Sequence, residues 1–148
     1  MVQNKIFLDK VMVLSLMDLI HLDESNFNFD EYVIISFKDE IHDHLDILDK
    51  YKYLEIEFDD IKKCNDGQEK NVFPFGPQIA EFVIGTIKNN KKIICQCVYG
   101  NSRSAGCAAA ILEYLYKQGS IITDNSNFKY NQIIFKCVFD ELTKYSNH

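Results

Sequence analysis

Residues 91–106, KKIICQCVYGNSRSAG, read as a strand that runs into a short loop and then into a helix. Lys91 to Cys97 is apolar in the manner of a strand. Ser104 to Lys117 (SAGCAAAILEYLYK) is small and apolar on nearly every side, the pattern of a helix buried in the middle of a domain. Between the two, Cys97 is followed by five residues, then Arg103 and Ser104. That order sets a thiol at the end of a strand and at the mouth of a loop whose successive N–H groups can curl around one anion. A helix N-terminus points into the same hollow. Gly100 permits the backbone twist of a tight loop, Arg103 offers a planar fork of donors to two oxygens of a bound phosphate, and Ser104 puts a hydroxyl next to the sulfur.

Working outward, Lys10 to Ser15 (KVMVLS), Tyr32 to Phe37 (YVIISF) and Tyr51 to Phe58 (YKYLEIEF) read as further strands. Leu16 to Leu22 is expected to begin a short helix, and Ile41, Leu45 and Leu48 have the spacing of a short amphipathic helix over Ile41 to Leu48. Asp59 to Phe75 holds the turn signals Asp66-Gly67 and Phe73-Pro74 and is long enough to be a functional loop. Pro77 suits a first helical turn, and Ile79, Val83 and Ile87 repeat at helical intervals up to Asn89-Asn90. Gly119 is expected to end the buried helix, and Ile134, Val138, Leu142 and Tyr145 form one face of a C-terminal helix. Strands alternating with helices predict one α/β domain over residues 1–148, with a mainly parallel central sheet of about four or five strands and helices on both faces. Ligands of such sheets collect at the carboxyl ends of the strands.

The chain has 148 residues, 47% hydrophobic and 26% charged, which suits one folded domain. Sixteen Lys and Arg against twenty-two Asp and Glu give a formal charge of −6, so the overall field repels nucleic-acid backbones and anionic membrane surfaces. Neither partner is expected, and any bound anion must be captured locally. Cysteines at 64, 95, 97, 107 and 137 lack the even, tightly spaced framework of secreted disulfide domains, which predicts a reducing, cytoplasmic location. Val11 to Met17 is apolar but lies between Asp9 and Asp18, so it reads as neither a signal peptide nor a membrane span. No GxxxxGKS-type loop or Rossmann glycine fingerprint is present, so no nucleotide cofactor is indicated. The run Asp39 to Asp49 invites a metal site through His42, His44 and Asp46, although an amphipathic helix explains the spacing without a ligand.

The Cys97 segment resembles the signature of the cysteine-dependent protein tyrosine phosphatases: Cys, five residues, Arg, then Ser or Thr, with Gly three places after the Cys. Cys97, Gly100, Arg103 and Ser104 match it position for position. Size and element order resemble the small dual-specificity-type branch, in particular small bacterial tyrosine phosphatase-like proteins. The resemblance implies a phosphotyrosine protein phosphatase-like fold and hydrolysis of phosphotyrosine, alone or with phosphoserine and phosphothreonine, in proteins or peptides. It implies a cysteinyl-phosphate intermediate and no metal or other cofactor. Cys97 would be the nucleophile. Val98, Tyr99, Gly100, Asn101, Ser102 and Arg103 would hold the phosphoryl oxygens, where inorganic phosphate or sulfate could also sit, and Ser104 would ease departure of the sulfur. The family also uses an aspartate some tens of residues upstream as general acid. Asp59, Asp60 and Asp66 are available. In Glu57-Phe58-Asp59-Asp60-Ile61 the second aspartate is similar to the one followed by isoleucine or valine in the bacterial relatives, which makes Asp60 the candidate.

Gln96 stands where the family usually has His, and a neutral amide cannot reproduce a titrating ring. This keeps open a second reading, a catalytically weak phosphate- or phosphoprotein-binding module. A third, an arsenate reductase or rhodanese-like sulfur carrier, fits less well. Low-molecular-weight phosphatases and arsenate reductases carry the loop near the N-terminus, and rhodanese-type loops do not demand Gly100 and Ser104. Cys95, Cys107 and Cys137 read as small core hydrophobes, whereas Cys64, in the presumed acid loop, is the cysteine with access for a redox role. The absence of lysine from Val98 to Ser102 counts against highly charged phosphoinositide substrates.

Overall fold

Three of the strands read from the sequence, in the segments Lys10 to Ser15, Tyr32 to Phe37 and Lys91 to Cys97, are apolar on both faces and find cover on both faces of one sheet, whereas the fourth, with Glu55 and Glu57, is partly exposed at its edge. A computed structural model describes residues 5–145. In chain order the strands are β1 (Ile6–Phe7), β2 (Val11–Leu14), β3 (Tyr32–Lys38), β4 (Tyr53–Glu57) and β5 (Lys92–Gln96). They lie in the order β1-β2-β5-β3-β4, with β1 antiparallel to β2 and the remaining pairs parallel. The short edge strand β1 was not anticipated. In the centre, Cys95 of β5 pairs with Val13 on one side and Ile35 on the other.

The helices are α1 (Leu16–Glu24), α2 (Glu69–Val72), α3 (Gly76–Lys88), α4 (Arg103–Tyr116), α5 (Ser120–Thr123) and α6 (Gln132–Tyr145). Alternation along each strand divides the core between two layers. Val11, Val13, Val33, Ile35, Ile93 and Cys95 pack with α3, α4 and α6, whereas Met12, Leu14, Ile34 and Ile94 pack with α1, Phe29 and Leu48. Helix α1 is set by a capping box in which the Asp18 amide donates to the Ser15 hydroxyl and the Ser15 amide to the Asp18 carboxylate, both at 3.0 Å. Helix α4 is buried continuously from Arg103 to Leu112, which accounts for its all-round small and apolar sequence. No helix among the described residues is long and apolar enough to cross a membrane.

Two expectations are corrected. The helix over Ile41 to Leu48 does not form: these residues make an irregular loop leading into a 3-10 turn at Asp46–Lys50, and Ile41 is 87% exposed. Tertiary polar contacts override the periodicity. His44 is held between Glu55, 2.8 Å from Nδ1, and Asp49, 2.7 Å from Nε2, while Lys38 donates to the His42 carbonyl at 2.8 Å. Gly119 does not end the buried helix either. Helix α4 stops at Tyr116, with Lys117 taking the left-handed conformation (φ 57°), and Gly119 instead precedes α5 and donates its amide to Glu113 at 3.1 Å. On α6, Ile134, Val138 and Leu142 are buried as expected, but Tyr145 is exposed.

The carboxylates of Glu55 and Asp49 raise the His44 pKa above its ordinary value. A raised folded-state pKa gives stability that is fully present below the unfolded value and is lost as pH rises through the folded one. His44→Gln is therefore expected to lower Tm most near pH 5.5, with the deficit shrinking toward about pH 9. Thermal unfolding of both proteins across that range checks it, and a deficit independent of pH would contradict the linkage.

Candidate active site

Strand β5 ends at Gln96 and α4 starts at Arg103, so residues 97–102 form a loop at the carboxyl end of the central strand. One side of the loop is tied to the β2–α1 junction, where the Cys97 amide donates to the Leu14 carbonyl at 3.2 Å and the Leu16 amide to the Val98 carbonyl at 3.0 Å. Gly100, with φ 72°, lies directly against that junction, and a Cβ there would stand 2.5 Å from the Ser15 nitrogen. The other side is tied to the segment before α6, where the Lys129 amide donates to the Asn101 carbonyl at 2.9 Å and the Asn131 amide to the Ser102 carbonyl at 3.0 Å. Within the loop the Gly100 amide donates to Cys97 Sγ at 3.3 Å, and the Ser104 hydroxyl lies 3.1 Å from the same sulfur. Cys97 itself is buried, and the first turn of α4, the positive end of a long helix, begins beside it.

Arg103 is buried, with two contacts made through one nitrogen: Nη1 donates to Asp39 Oδ1 at 2.6 Å and to the Phe58 carbonyl at 2.7 Å. Its Nε is the only buried side-chain nitrogen or oxygen among the described residues without a hydrogen-bond partner. Leaving such a donor unpaired is costly, and an anion oxygen seated at that edge of the guanidinium would satisfy it.

Asp60 is drawn to the same loop. Its Oδ1 accepts from the Ser102 hydroxyl at 2.8 Å and from Asn131 Nδ2 at 2.9 Å, leaving Oδ2 with only the Lys62 ammonium, at 3.7 Å. Asn131 also donates to the Ile61 carbonyl at 2.9 Å and accepts from the Ile134 amide at 3.0 Å, capping α6. Asp59 is exposed and accepts the Glu40 amide at 2.9 Å instead, while Asp66 is exposed farther along the segment. The fold thus gathers Cys97, Gly100, Ser102, Arg103, Ser104 and Asp60, and leaves Asp66 outside. Tyr99 projects from the loop and is 80% exposed, and Asn101 is exposed as well.

Three site residues escaped the sequence reading. Asp39 looked like the first member of an acidic run, yet its place just after β3, a neighbour of β5 in the sheet, sets it against Arg103. Asn131 was legible at most as a helix cap. Ser36 donates to Gln96 Oε1 at 2.5 Å, fixing the buried amide that precedes Cys97. Cys95 and Cys107 are fully buried, and burial pushes the Cys95 thiol well up. Burial also pushes Cys137 up to about 11. Cys64 is pushed up by desolvation and by Glu69 and Asp66, which lowers its thiolate fraction and so disfavours oxidation. His44, Asp46 and Asp49 place one ligand atom each within 4.8 Å of one another, and His42 pairs instead with Asp39 at 3.2 Å.

Neither a protein-family model nor a curated protein matches the chain. Solved structures do. Tk-PTP in its active form superposes with a TM-score of 0.63 at 17% identity, over 97% of this chain and 99% of that one. Human tyrosine phosphatase-like serine/threonine/tyrosine-interacting protein gives 0.60 at 17% identity, over 94% and 95% of the two chains. DUSP15 gives 0.61 at 16% identity, over 95% and 90%. The chain therefore has the α/β fold of the cysteine-dependent protein tyrosine phosphatases, in its compact single-sheet form. The similarity is one of fold, and it runs through nearly the whole chain.

The close approach at Gly100 yields a stability test. Gly67 also has a positive φ, at 82°, but a Cβ there would meet nothing within 4 Å. Gly67→Ala is expected to cost about 1 kcal/mol from backbone strain alone. Gly100→Ala is expected to cost more, roughly 2–4 kcal/mol, because strain and overlap add. Urea unfolding of the two variants measures the difference, and equal losses would show that the β2–α1 junction yields.

Proposed function

We propose that this protein is a phosphomonoester hydrolase of the tyrosine or dual-specificity type, acting on phosphorylated protein or peptide through a cysteinyl-phosphate intermediate. The observation that carries the reading is the buried, unpartnered Nε of Arg103, at the start of the helix that follows a loop whose buried thiol already receives the Gly100 amide. An anion with tetrahedral oxygens answers that arrangement.

In the first half of the reaction Cys97 Sγ attacks phosphorus in line, forming the S–P bond as the ester P–O bond breaks. The loop amides and the free edge of Arg103 hold the equatorial oxygens, and Asp60 gives a proton to the departing oxygen. Oδ2 suits that task because Oδ1 stays anchored by Ser102 and Asn131 while Oδ2 meets only the Lys62 ammonium, at 3.7 Å. In the second half water attacks phosphorus and gives its proton back to Asp60, while the sulfur leaves as thiolate with Ser104 and Gly100 as its hydrogen-bond donors. No metal is needed for either step. The five free cysteines suit a reducing, cytoplasmic setting.

Gln96 supports a second reading, a binding module with weak turnover, because the carbonyl of its buried amide is occupied by Ser36 and the group carries no titratable charge. Hydrolysis of an aryl phosphate separates the two. On the enzyme reading Cys97→Ser abolishes turnover and preserves phosphate binding. Asp60→Asn lowers kcat by about two to four orders of magnitude on substrates with poor leaving groups, whereas Asp59→Asn does much less. Saturable phosphate binding by the wild-type protein with no turnover would give precedence to the binding module, and undiminished turnover by Cys97→Ser would reject the mechanism.

A further inference from the structure

Beside the loop, on the side where Asn101 and Ser102 are tied to the segment before α6, lies a groove of about 380 Å³. Lys62, Lys63 and Lys129 line it over Phe128 and Tyr130, and no carboxylate takes part in the lining. It continues, sharing Lys62, Lys63 and Tyr130, into a second hollow of about 450 Å³ where Asp66 and Glu69 restore mixed charge. The end next to the candidate active site therefore carries three lysines and no carboxylate, against three lysines and two carboxylates in the second hollow.

Three further observations bear on what this end receives. Of the three groove lysines Lys62 pairs with Asp60 at 3.7 Å, whereas Lys63 and Lys129, like Lys10, Lys52, Lys70, Lys88, Lys91 and Lys117, form no ion pair among the described residues. In a chain of net charge −6, two such cations beside each other on one groove are a local reversal of sign. The floor is braced from below, with the Phe128 ring edge-on to Phe7 at 5.9 Å and Tyr130 edge-on to Phe135 at 5.8 Å. Finally, the groove is continuous with the site: the Lys129 amide bonds the Asn101 carbonyl, and Lys62 lies 3.7 Å from Asp60.

We infer that this groove receives an acidic stretch of peptide next to the phosphorylated residue of the substrate. The inference rests on the phosphatase reading and specifies its substrate class. An extended peptide advances about 3.3 Å per residue, so carboxylates a few positions from the phosphorylated side chain can reach the lysines. Residues 98–102 contain no lysine, so discrimination by substrate charge has to come from outside the loop, and Lys63 and Lys129 supply it. The chain's overall negative field disfavours an anionic bilayer or a nucleic acid, which present charge over a far wider area than this groove.

The test compares two phosphotyrosine peptides of equal length, one flanked on both sides by Glu and Asp, the other by Gln and Asn. The acidic peptide is expected to have a kcat/KM about tenfold higher at low salt, with the advantage fading at roughly 0.5 M salt. Lys63→Glu combined with Lys129→Glu removes that preference while p-nitrophenyl phosphate turnover stays as in the wild type. Fluorescence anisotropy with the unphosphorylated acidic peptide gives a readout independent of chemistry. If that peptide binds the wild type and not the double variant while no phosphate ester is hydrolysed, the groove stands and the catalytic reading falls. If both phosphopeptides are hydrolysed with equal kcat/KM, the groove inference is overturned and the catalytic reading stands. Vesicles containing a phosphoinositide that bind the wild type and not the double variant, with no discrimination between the peptides, would reassign the lysines to a lipid headgroup and overturn the peptide inference.

Discussion

Arg103 carries a full positive charge and is only 4% exposed, so the fold has to supply it with partners from more than one direction. It does so from the ends of two strands: Asp39 just after β3 and the Phe58 carbonyl just after β4 both meet Nη1. The guanidinium thereby fixes where α4 starts relative to the sheet, because the residue that opens the helix also bridges two strand ends. One partner is a carboxylate still in contact with water and the other a neutral carbonyl, so the arrangement secures geometry more than net stability. The edge of the fork left without a partner holds the one buried side-chain nitrogen or oxygen that, among the described residues, makes no hydrogen bond.

A second polar assembly flanks the loop from α6. Asn131 is fully buried and reaches Asp60, Ile61 and the Ile134 amide through its side chain, while its backbone amide holds the Ser102 carbonyl. Asp60 and the loop are thus tied to each other through Ser102 and to the C-terminal helix through Asn131. Such a network holds a loop that would otherwise have many conformations in a single one, and each member becomes costly to remove because the others would be left buried and unpaired.

The chain by itself established the alternation of strands and helices, the central place of the KKIICQC strand, the all-round burial of the α4 sequence and the gathering of Cys97, Gly100, Arg103 and Ser104. These are local patterns: apolar runs, small residues at every helical position and fixed spacing within one loop. It also put Asp60 at the end of a strand, where the resemblance marked it as the acid, and the structure sets that side chain against Ser102.

What only the tertiary structure decided depends on residues far apart in sequence. Asp39 meets Arg103 across 64 positions, Asn131 meets Asp60 across 71, and Ser36 meets Gln96 across 60. No periodicity or spacing encodes such pairs: Asp39 and Arg103, like Ser36 and Gln96, meet because the parallel sheet sets the ends of β3 and β5 side by side, and Asn131 meets Asp60 where the segment before α6 packs against the loop. The failed helix over Ile41 to Leu48 has the same origin: His44 is captured by Glu55 of β4, and a tertiary ion pair outweighs the weak helical preference of a short polar segment. Local sequence therefore sufficed for the elements and the loop that joins two of them, whereas the charges and amides that hold the loop in place came from the packing of elements against one another.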